Sequence, residues 1–433
     1  MLHASEAMRN YRASAEELER VQSKKLRRML RYCFDRVPLY HEWFRAAGML
    51  PDDVRGPDDL RRLPTLTRQL LTRSYPDRIL PRGARVGSRM STSGTTGTPL
   101  SIQYSPEFSD VRMALAFRRS WLDGVRPWHR GVSVWTGEGH RRLSQANVMR
   151  GSMALGKSLT LWGGDQRLLV LRQLSFFVAR GEWTTGARLI QGFRPTVLYA
   201  RPSHMRRLGL AWKETGAAPQ VRIALTSGEF LSKAVRKDLE SMFGCTVFDS
   251  YGSTELGGLG FECSEHAGTH VNADHFIFEV LKDGGPASPG ESGEIVITGL
   301  HNDAMPMLRY EQGDRVVLEA EGRCACGSSL PRLRSIQGRL NDGLVTAAGE
   351  RVAPGAVCGM LEEAFGMRDY QLTQKSHSQV LMKVLIENSS AATLQKVEAY
   401  LRGVLGGEVK LEAQVWGEED MPVKYRPVIS EVR

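Results

Sequence analysis

Two stretches decide the fold: Val221-Arg222-Ile223-Ala224-Leu225-Thr226-Ser227-Gly228-Glu229 and Thr246-Val247-Phe248-Asp249-Ser250-Tyr251-Gly252-Ser253-Thr254-Glu255. Each is a short apolar run that breaks into a polar, glycine-bearing segment. Residues 221–226 and 246–248 read as strands, and 232–242 between them reads as a helix. Upstream, 196–200 reads as another strand, followed by a helix through 205–212. Strands alternating with helices of this length specify a parallel sheet. Ligands on such sheets bind where loops leave the carboxyl ends of the strands. The loops so placed are 227–229 and 250–255.

Working outward, 276–281, 293–298 and 314–318 are short strands between Gly/Pro turns, which suggests an antiparallel β subdomain. Near the C-terminus, 379–386 alternates as a strand, 391–405 reads as a helix and 409–415 as a strand, a small α+β pattern. Toward the N-terminus, Leu26, Met29, Leu30 and Cys33 recur at helical spacing, with Lys24, Lys25, Arg27 and Arg28 on a solvated face. Pro38 and Leu50-Pro51-Asp52-Asp53 break that pattern. The reading is an α/β protein. Residues 1–338 form a large N-terminal domain of parallel sheet layers plus a β subdomain, and 339–433 a small, mobile α+β C-terminal domain.

Composition narrows the class. The chain has 433 residues, 41% hydrophobic and 24% charged, which fits a folded globular protein and not a disordered or collagen-like one. Six cysteines are too few for a disulfide scaffold. The net charge of +10 favours anionic partners such as nucleotides and acidic substrates. The polar N-terminus lacks the apolar core of a signal peptide, and no run approaches the ~18 apolar residues of a spanning helix, so a cytoplasmic protein with no membrane partner is expected.

Three motifs carry chemistry. In Ser91-Thr92-Ser93-Gly94-Thr95-Thr96-Gly97-Thr98-Pro99, hydroxyl side chains alternate with glycines that let backbone N–H groups approach an anion. This suits a triphosphate, although composition alone also describes a flexible linker. It is not a Walker loop, because G-x-x-x-x-G-K-[ST] is absent. In 249–255, Tyr251 can stack on a flat base, Thr254 can bond a phosphate and Glu255 can hold Mg²⁺; the plain alternative is an ordinary turn. In Leu308-Arg309-Tyr310-Glu311-Gln312-Gly313-Asp314, the Asp after a Gly turn can accept both hydroxyls of a ribose.

In this order and at these separations the motifs resemble the adenylate-forming superfamily and, within it, the phenylacetate–CoA ligase family. The matching segments are 92–99, 251–255, 313–314 and the Gly338-Arg339-Leu340-Asn341-Asp342 stretch, supported by Arg36-Val37-Pro38-Leu39-Tyr40, by 195–202 and by Met305-Pro306-Met307-Leu308-Arg309-Tyr310. The resemblance implies ATP-dependent activation of a small carboxylic acid, aromatic in type, to acyl-AMP with release of pyrophosphate, then transfer to coenzyme A. It implies that Ser93, Gly94, Thr95, Thr96, Gly97 and Thr98 cradle phosphates. Gly228 and Glu229 would line adenine, with Asp249 and Gly252 in the same nucleotide site and Tyr251 stacking on the base. Thr254 and Glu255 would serve phosphate and Mg²⁺, Asp314 the ribose, and Arg339 ribose or phosphate. Lys424, in Met421-Pro422-Val423-Lys424-Tyr425-Arg426, matches the catalytic lysine of the first step. Three positions depart from the pattern. Thr98 stands where many relatives carry Lys, Val423 replaces a Gly, and Asn341 occupies the hinge position usually held by Asp or Lys. The last keeps an amine or a carrier protein open as alternative acceptors.

Trp135 and His140 lie where relatives place the acid pocket, and packing or solvation would explain them equally. Cys263, His270, Cys324 and Cys326, on turns of separate β segments, can close a tetrahedral Cys₃His site for a structural zinc, with His266 and His275 as rival ligands. Some family members look similar there. Cys33, Cys245 and Cys358 read as small buried hydrophobes. Two further readings are a non-catalytic nucleotide-binding relative and a zinc-bearing protein that binds nucleic acid. The second lacks support, since the basic residues are dispersed and no nucleic-acid motif accompanies them. Monomer and homodimer both remain open.

Overall fold

The computed structural model describes residues 2–92, 100–135, 159–161, 169–177, 183–216, 220–320, 322–385, 390–417 and 425–432. They divide into two compact units, Met1–Asp123 with Ser250–Ser335, and Gly124–Asp249 with Ile336–Arg433. The chain passes from one to the other three times, between Asp123 and Gly124 and inside the strands Thr246–Ser253 and Arg332–Arg339.

The second unit holds the parallel layer. Strands Leu169–Phe177, Arg130–Trp135, Val197–Ala200 and Ile223–Ser227 lie side by side in that order, all parallel, with Leu159–Leu161 antiparallel at the edge. Helices Trp183–Phe193, Pro202–Thr215 and Lys233–Phe243 bury Ile190, Met205, Leu208, Trp212 and Leu239 against Val132, Leu198 and Ala224 of the strands. The local signals explain the helix ends. Pro202 opens one helix where its missing N–H costs nothing, the Ser232 hydroxyl accepts from Val235 N at 3.1 Å to cap the next, and Gly216 and Gly244 close them in left-handed conformation. In the same unit the strands Lys410–Val415, Gln379–Val384, Tyr370–Ser376 and Val428–Ser430 form a separate sheet, with helix Ala391–Leu405 burying Val397, Leu401 and Leu405 beneath it.

The first unit is antiparallel β with helices. Strands Phe276–Lys282, Ser292–Gly299 and Tyr310–Leu318 pair antiparallel, with a register shift between Glu294 and Val296, and Arg332–Arg339, Thr269–Val271 and Gly257–Glu262 follow in that order in the sheet. Helix Ala15–Arg36 begins with a Ser14/Glu17 capping box and buries Leu26, Met29, Leu30 and Cys33, as their spacing requires. Its basic residues do more than face water: Lys25 pairs with Glu6 at 2.8 Å and Arg28 with Asp303 at 3.1 Å.

The strand begun at Thr246 does not end at Phe248 but continues to Ser253, and after a turn it pairs antiparallel with Gly257–Glu262. Residues 250–255 are therefore a hairpin arm and its turn, not a strand-to-helix loop. A Cβ on Gly252 would stand 2.6 Å from the Gly257 carbonyl oxygen, so glycine is what lets the two arms close. No helix among the described residues is long and apolar enough to cross a membrane.

Candidate active site

The first unit assembles its site residues around that hairpin. Tyr251 sits opposite Gly260 with a bulge following it, and its hydroxyl donates to Asp314 Oδ2 at 2.6 Å. The two sequence-predicted residues, 63 positions apart, are thus one hydrogen-bonded pair. Asp314 is buried, so the phenol fixes the carboxylate in a single orientation. At the turn, Tyr104 donates its hydroxyl to the Thr254 carbonyl, and burial raises the Tyr104 pKa. Glu255, also buried, accepts from Arg68 Nη1 at 2.7 Å and from Tyr310 Oη at 3.5 Å, both on Oε1. Arg68 Nη2 donates to Thr92 Oγ1 at 2.7 Å. Thr92 in turn pairs with Leu100 in both directions, N to O at 3.0 Å and Oγ1 from N at 2.9 Å, which closes the base of the 93–99 segment.

The second unit holds the others. Gly228 turns at the carboxyl end of strand Ile223–Ser227 with φ +81°, a conformation that favours glycine. Thr226 donates to Asp249 Oδ1 at 2.6 Å. The Glu229 carboxylate accepts from Ser203 N at 3.2 Å and from Tyr425 N at 2.9 Å. Burial raises its pKa, and the bonds from Ser203 and Tyr425 and the charge of Arg201 act against that. Glu229 therefore ties the backbone beside Lys424 to the 227–229 turn. Arg339 precedes the short 3-10 turn Leu340–Asp342, on which Asn341 is exposed, and Asp342 accepts from Arg426 at 2.8 Å. Trp135 ends the strand Arg130–Trp135. Ser93, Gly94, Thr95, Thr96, Gly97, Thr98, His140 and Lys424 lie outside the described residues.

The cysteine cluster is closed. The ligand atoms of Cys263, His270, Cys324 and Cys326 all lie within 4.8 Å of one another, with Cys263 Sγ 3.8 Å from Cys324 Sγ and Cys326 Sγ 3.4 Å from His270 Nε2. His270 Nδ1 faces the Leu330 carbonyl at 3.1 Å, which assigns the proton to Nδ1 and turns Nε2 toward the sulfurs. The rivals point elsewhere: His266 Nδ1 is 3.5 Å from Glu262, and His275 Nδ1 is 3.0 Å from Asp274.

The motifs gave no sign of Arg68, Tyr104 or Ser203, and although Tyr310 and Tyr425 lie inside motif segments, nothing in those segments assigned them a role. Only Thr67 carries a local signal, as the cap of the helix Arg68–Ser74, and it marks a helix start without marking a site.

A family model described as AMP-binding enzyme matches residues 89–304. The chain is 31% identical over 341 residues to the phenylacetate–coenzyme A ligase of Thermus thermophilus, covering 76% of this chain and 72% of that one. It is 29% identical over 351 residues to the enzyme of the same name from Escherichia coli, covering 77% and 74%. Among solved structures, 2-hydroxyisobutyryl-CoA ligase in the postadenylation state with 2-HIB-AMP superimposes with a TM-score of 0.77 at 21% identity, covering 98% of this chain and 91% of that one, a likeness of fold.

Proposed function

From its membership of the phenylacetate–CoA ligase family of AMP-binding enzymes, to which the chain belongs, we propose that it activates phenylacetate or a close aromatic acid. The observation that supports this best is the hairpin site, where Tyr251 is bonded to Asp314 and a buried Glu255 stands one turn away. In the first step the substrate carboxylate attacks the α-phosphorus of ATP, the bond to the β-phosphate breaks, and acyl-AMP and pyrophosphate form. In the second, the thiol of coenzyme A loses its proton, its sulfur attacks the acyl carbonyl, and AMP leaves.

Most of the work is positioning and charge neutralisation. Asp314 accepts the ribose hydroxyls, Tyr251 presents its ring to adenine, and Gly228 and Glu229 line it, with Asp249 and Gly252 in support. The hydroxyls and N–H groups of 93–98 cradle the phosphates, and Arg339 meets ribose or phosphate. Thr254 and Glu255 are the residues that would hold Mg²⁺, and a buried carboxylate beside a phosphate loop suits a hard cation that neutralises phosphate charge. Lys424 stands between carboxylate and α-phosphate. Trp135 and His140 belong to the acid pocket. Cys263, His270, Cys324 and Cys326 would hold a structural zinc, since three sulfurs and one imidazole fill a tetrahedron with no open position. Residues 339–433 act as a lid that turns about Asn341. A cytoplasmic location supplies ATP, coenzyme A and reduced thiols.

The test is pyrophosphate release with MgATP across aromatic and aliphatic acids, each with and without coenzyme A. Release that depends on an aryl acid and accelerates with coenzyme A is expected. Release indifferent to coenzyme A would transfer the second step to an amine or a carrier protein, the acceptors that Asn341 at the hinge keeps open. Silence across the panel, with ATP still bound, would leave a non-catalytic relative.

A further inference from the structure

We propose that Arg68 is a positioning residue for the nucleotide: it fixes Glu255 against the root of the phosphate loop and balances the Glu255 charge until the cation arrives. The proposal rests on the reading of Glu255 as a cation ligand and names the residue that prepares it. The guanidinium forks, one nitrogen on Glu255 Oε1 and the other on Thr92 Oγ1, each at 2.7 Å. A planar fork with two donors sets the separation of its two acceptors, which a lysine cannot do. Thr92 is the last residue before the loop, and Leu100 closes that loop on it. Arg68 therefore holds a predicted metal ligand and the base of a predicted phosphate cradle as one body.

Arg68 is itself held. The backbone of Leu66 bonds Arg309 O at 2.8 Å and receives Glu311 N at 3.0 Å, so the segment before Arg68 runs along the strand that carries Tyr310. Arg309, buried and paired through two nitrogens with Glu279 at 3.0 Å each, also donates to the Leu63 and Arg61 carbonyls. Arg68 and Tyr310 both bond Oε1 of Glu255, so Oε2 is the oxygen that can take a cation without breaking the fork.

The experiment is calorimetric titration with ATP in EDTA and with MgATP, for wild type, R68A, R68K, E255Q and R68A/E255Q. R68A should weaken Mg-free ATP binding by about tenfold, the scale of one charged hydrogen bond, because Glu255 is then left uncompensated near the phosphates. The loss should be smaller with MgATP, where the cation supplies the missing charge. E255Q added to R68A should recover Mg-free binding. R68K, which keeps the charge and tests the point should R68A not fold, should bind Mg-free ATP near wild type yet release pyrophosphate more slowly. Equal losses with and without Mg²⁺ that E255Q does not rescue, or wild-type binding by R68A, would overturn the proposal. E255Q that binds MgATP with unchanged affinity and Mg²⁺ dependence would remove the premise instead, and would locate the failure in the role of Glu255.

Discussion

Lys424 carries the heaviest single-residue assignment, and Tyr425 follows it in the chain. The Glu229 carboxylate accepts the Tyr425 N–H at 2.9 Å, and the Tyr425 hydroxyl donates to the Tyr370 carbonyl, so Tyr425 is held through both its backbone and its side chain. A cation between two anions ~4 Å away is worth about 4 kcal/mol at an effective dielectric near 20, or about three decades of rate. Lys424→Ala should therefore cut acid-dependent pyrophosphate release by about three decades and leave the dissociation constant of MgATP nearly unchanged. Pyrophosphate release at the wild-type rate would end the role. Tyr251, Asp314 and Glu255 could be proposed from the sequence because each sits in a short motif whose residue types suit a nucleotide's parts. Arg68 was not, because a guanidinium that acts through another side chain leaves no local pattern.

Two elements give predictions of their own. The turns that carry Cys263, Cys324 and Cys326, with strand Thr269–Val271 carrying His270, enclose the proposed zinc. Cys324→Ser should lower bound zinc from about one equivalent per chain to a small fraction and depress Tm, read by metal analysis and calorimetry, since such sites contribute folding energy directly. Wild-type protein that is metal-free after zinc-replete purification would remove the site. The second element is the helix Leu2–Asn10, which meets a row of histidines: the His3 ring lies 6.0 Å edge-on to His301, and His301 stacks on His275 at 4.9 Å. Burial lowers the pKa of His301 to about 4 and that of His275 as well, with Glu107 and Asp274 pulling in the opposite direction. A histidine held neutral in the fold but free to protonate near ~6.5 when unfolded stabilises above that pH, and the stabilisation is lost as pH falls toward the folded value. Tm should drop between about pH 6.5 and about pH 4, and His301→Phe should flatten that drop. An equally steep profile in the variant would clear His301 of the effect.

At the scale of the molecule, the unit that joins Gly124–Asp249 with Ile336–Arg433 is cross-tied. Arg206 pairs with Asp369, Arg368 with Asp238 at 2.6 Å, and Ser232 donates to Glu362, which also receives the Tyr370 hydroxyl at 3.1 Å. These ties hold the C-terminal segment in the arrangement that puts the Tyr425 N–H on Glu229. Partly buried ion pairs of this kind contribute on the order of 1 kcal/mol each. Removing both arginines as R206A/R368A should slow acyl-AMP formation by about tenfold while thioester formation from supplied acyl-AMP keeps its rate. Loss of both steps together would mean that the pairs support folding and not one arrangement.

The class of fold, most helices and strands and the family were legible in the sequence, which also proposed side chains for a nucleotide and a metal, because periodicity, caps and short motifs are local and need no partner. Only the tertiary structure decided that Tyr251 lies on a hairpin arm, that its hydroxyl meets Asp314, that His270 and not His266 or His275 joins the cysteines, and that Arg68 spans Glu255 and Thr92. The physical reason is sequence distance. Arg68 lies 24 positions from Thr92 and 187 from Glu255, and Tyr251 lies 63 from Asp314; what sets such contacts is sheet register, backbone approach at Gly252 and the packing that aims each side chain.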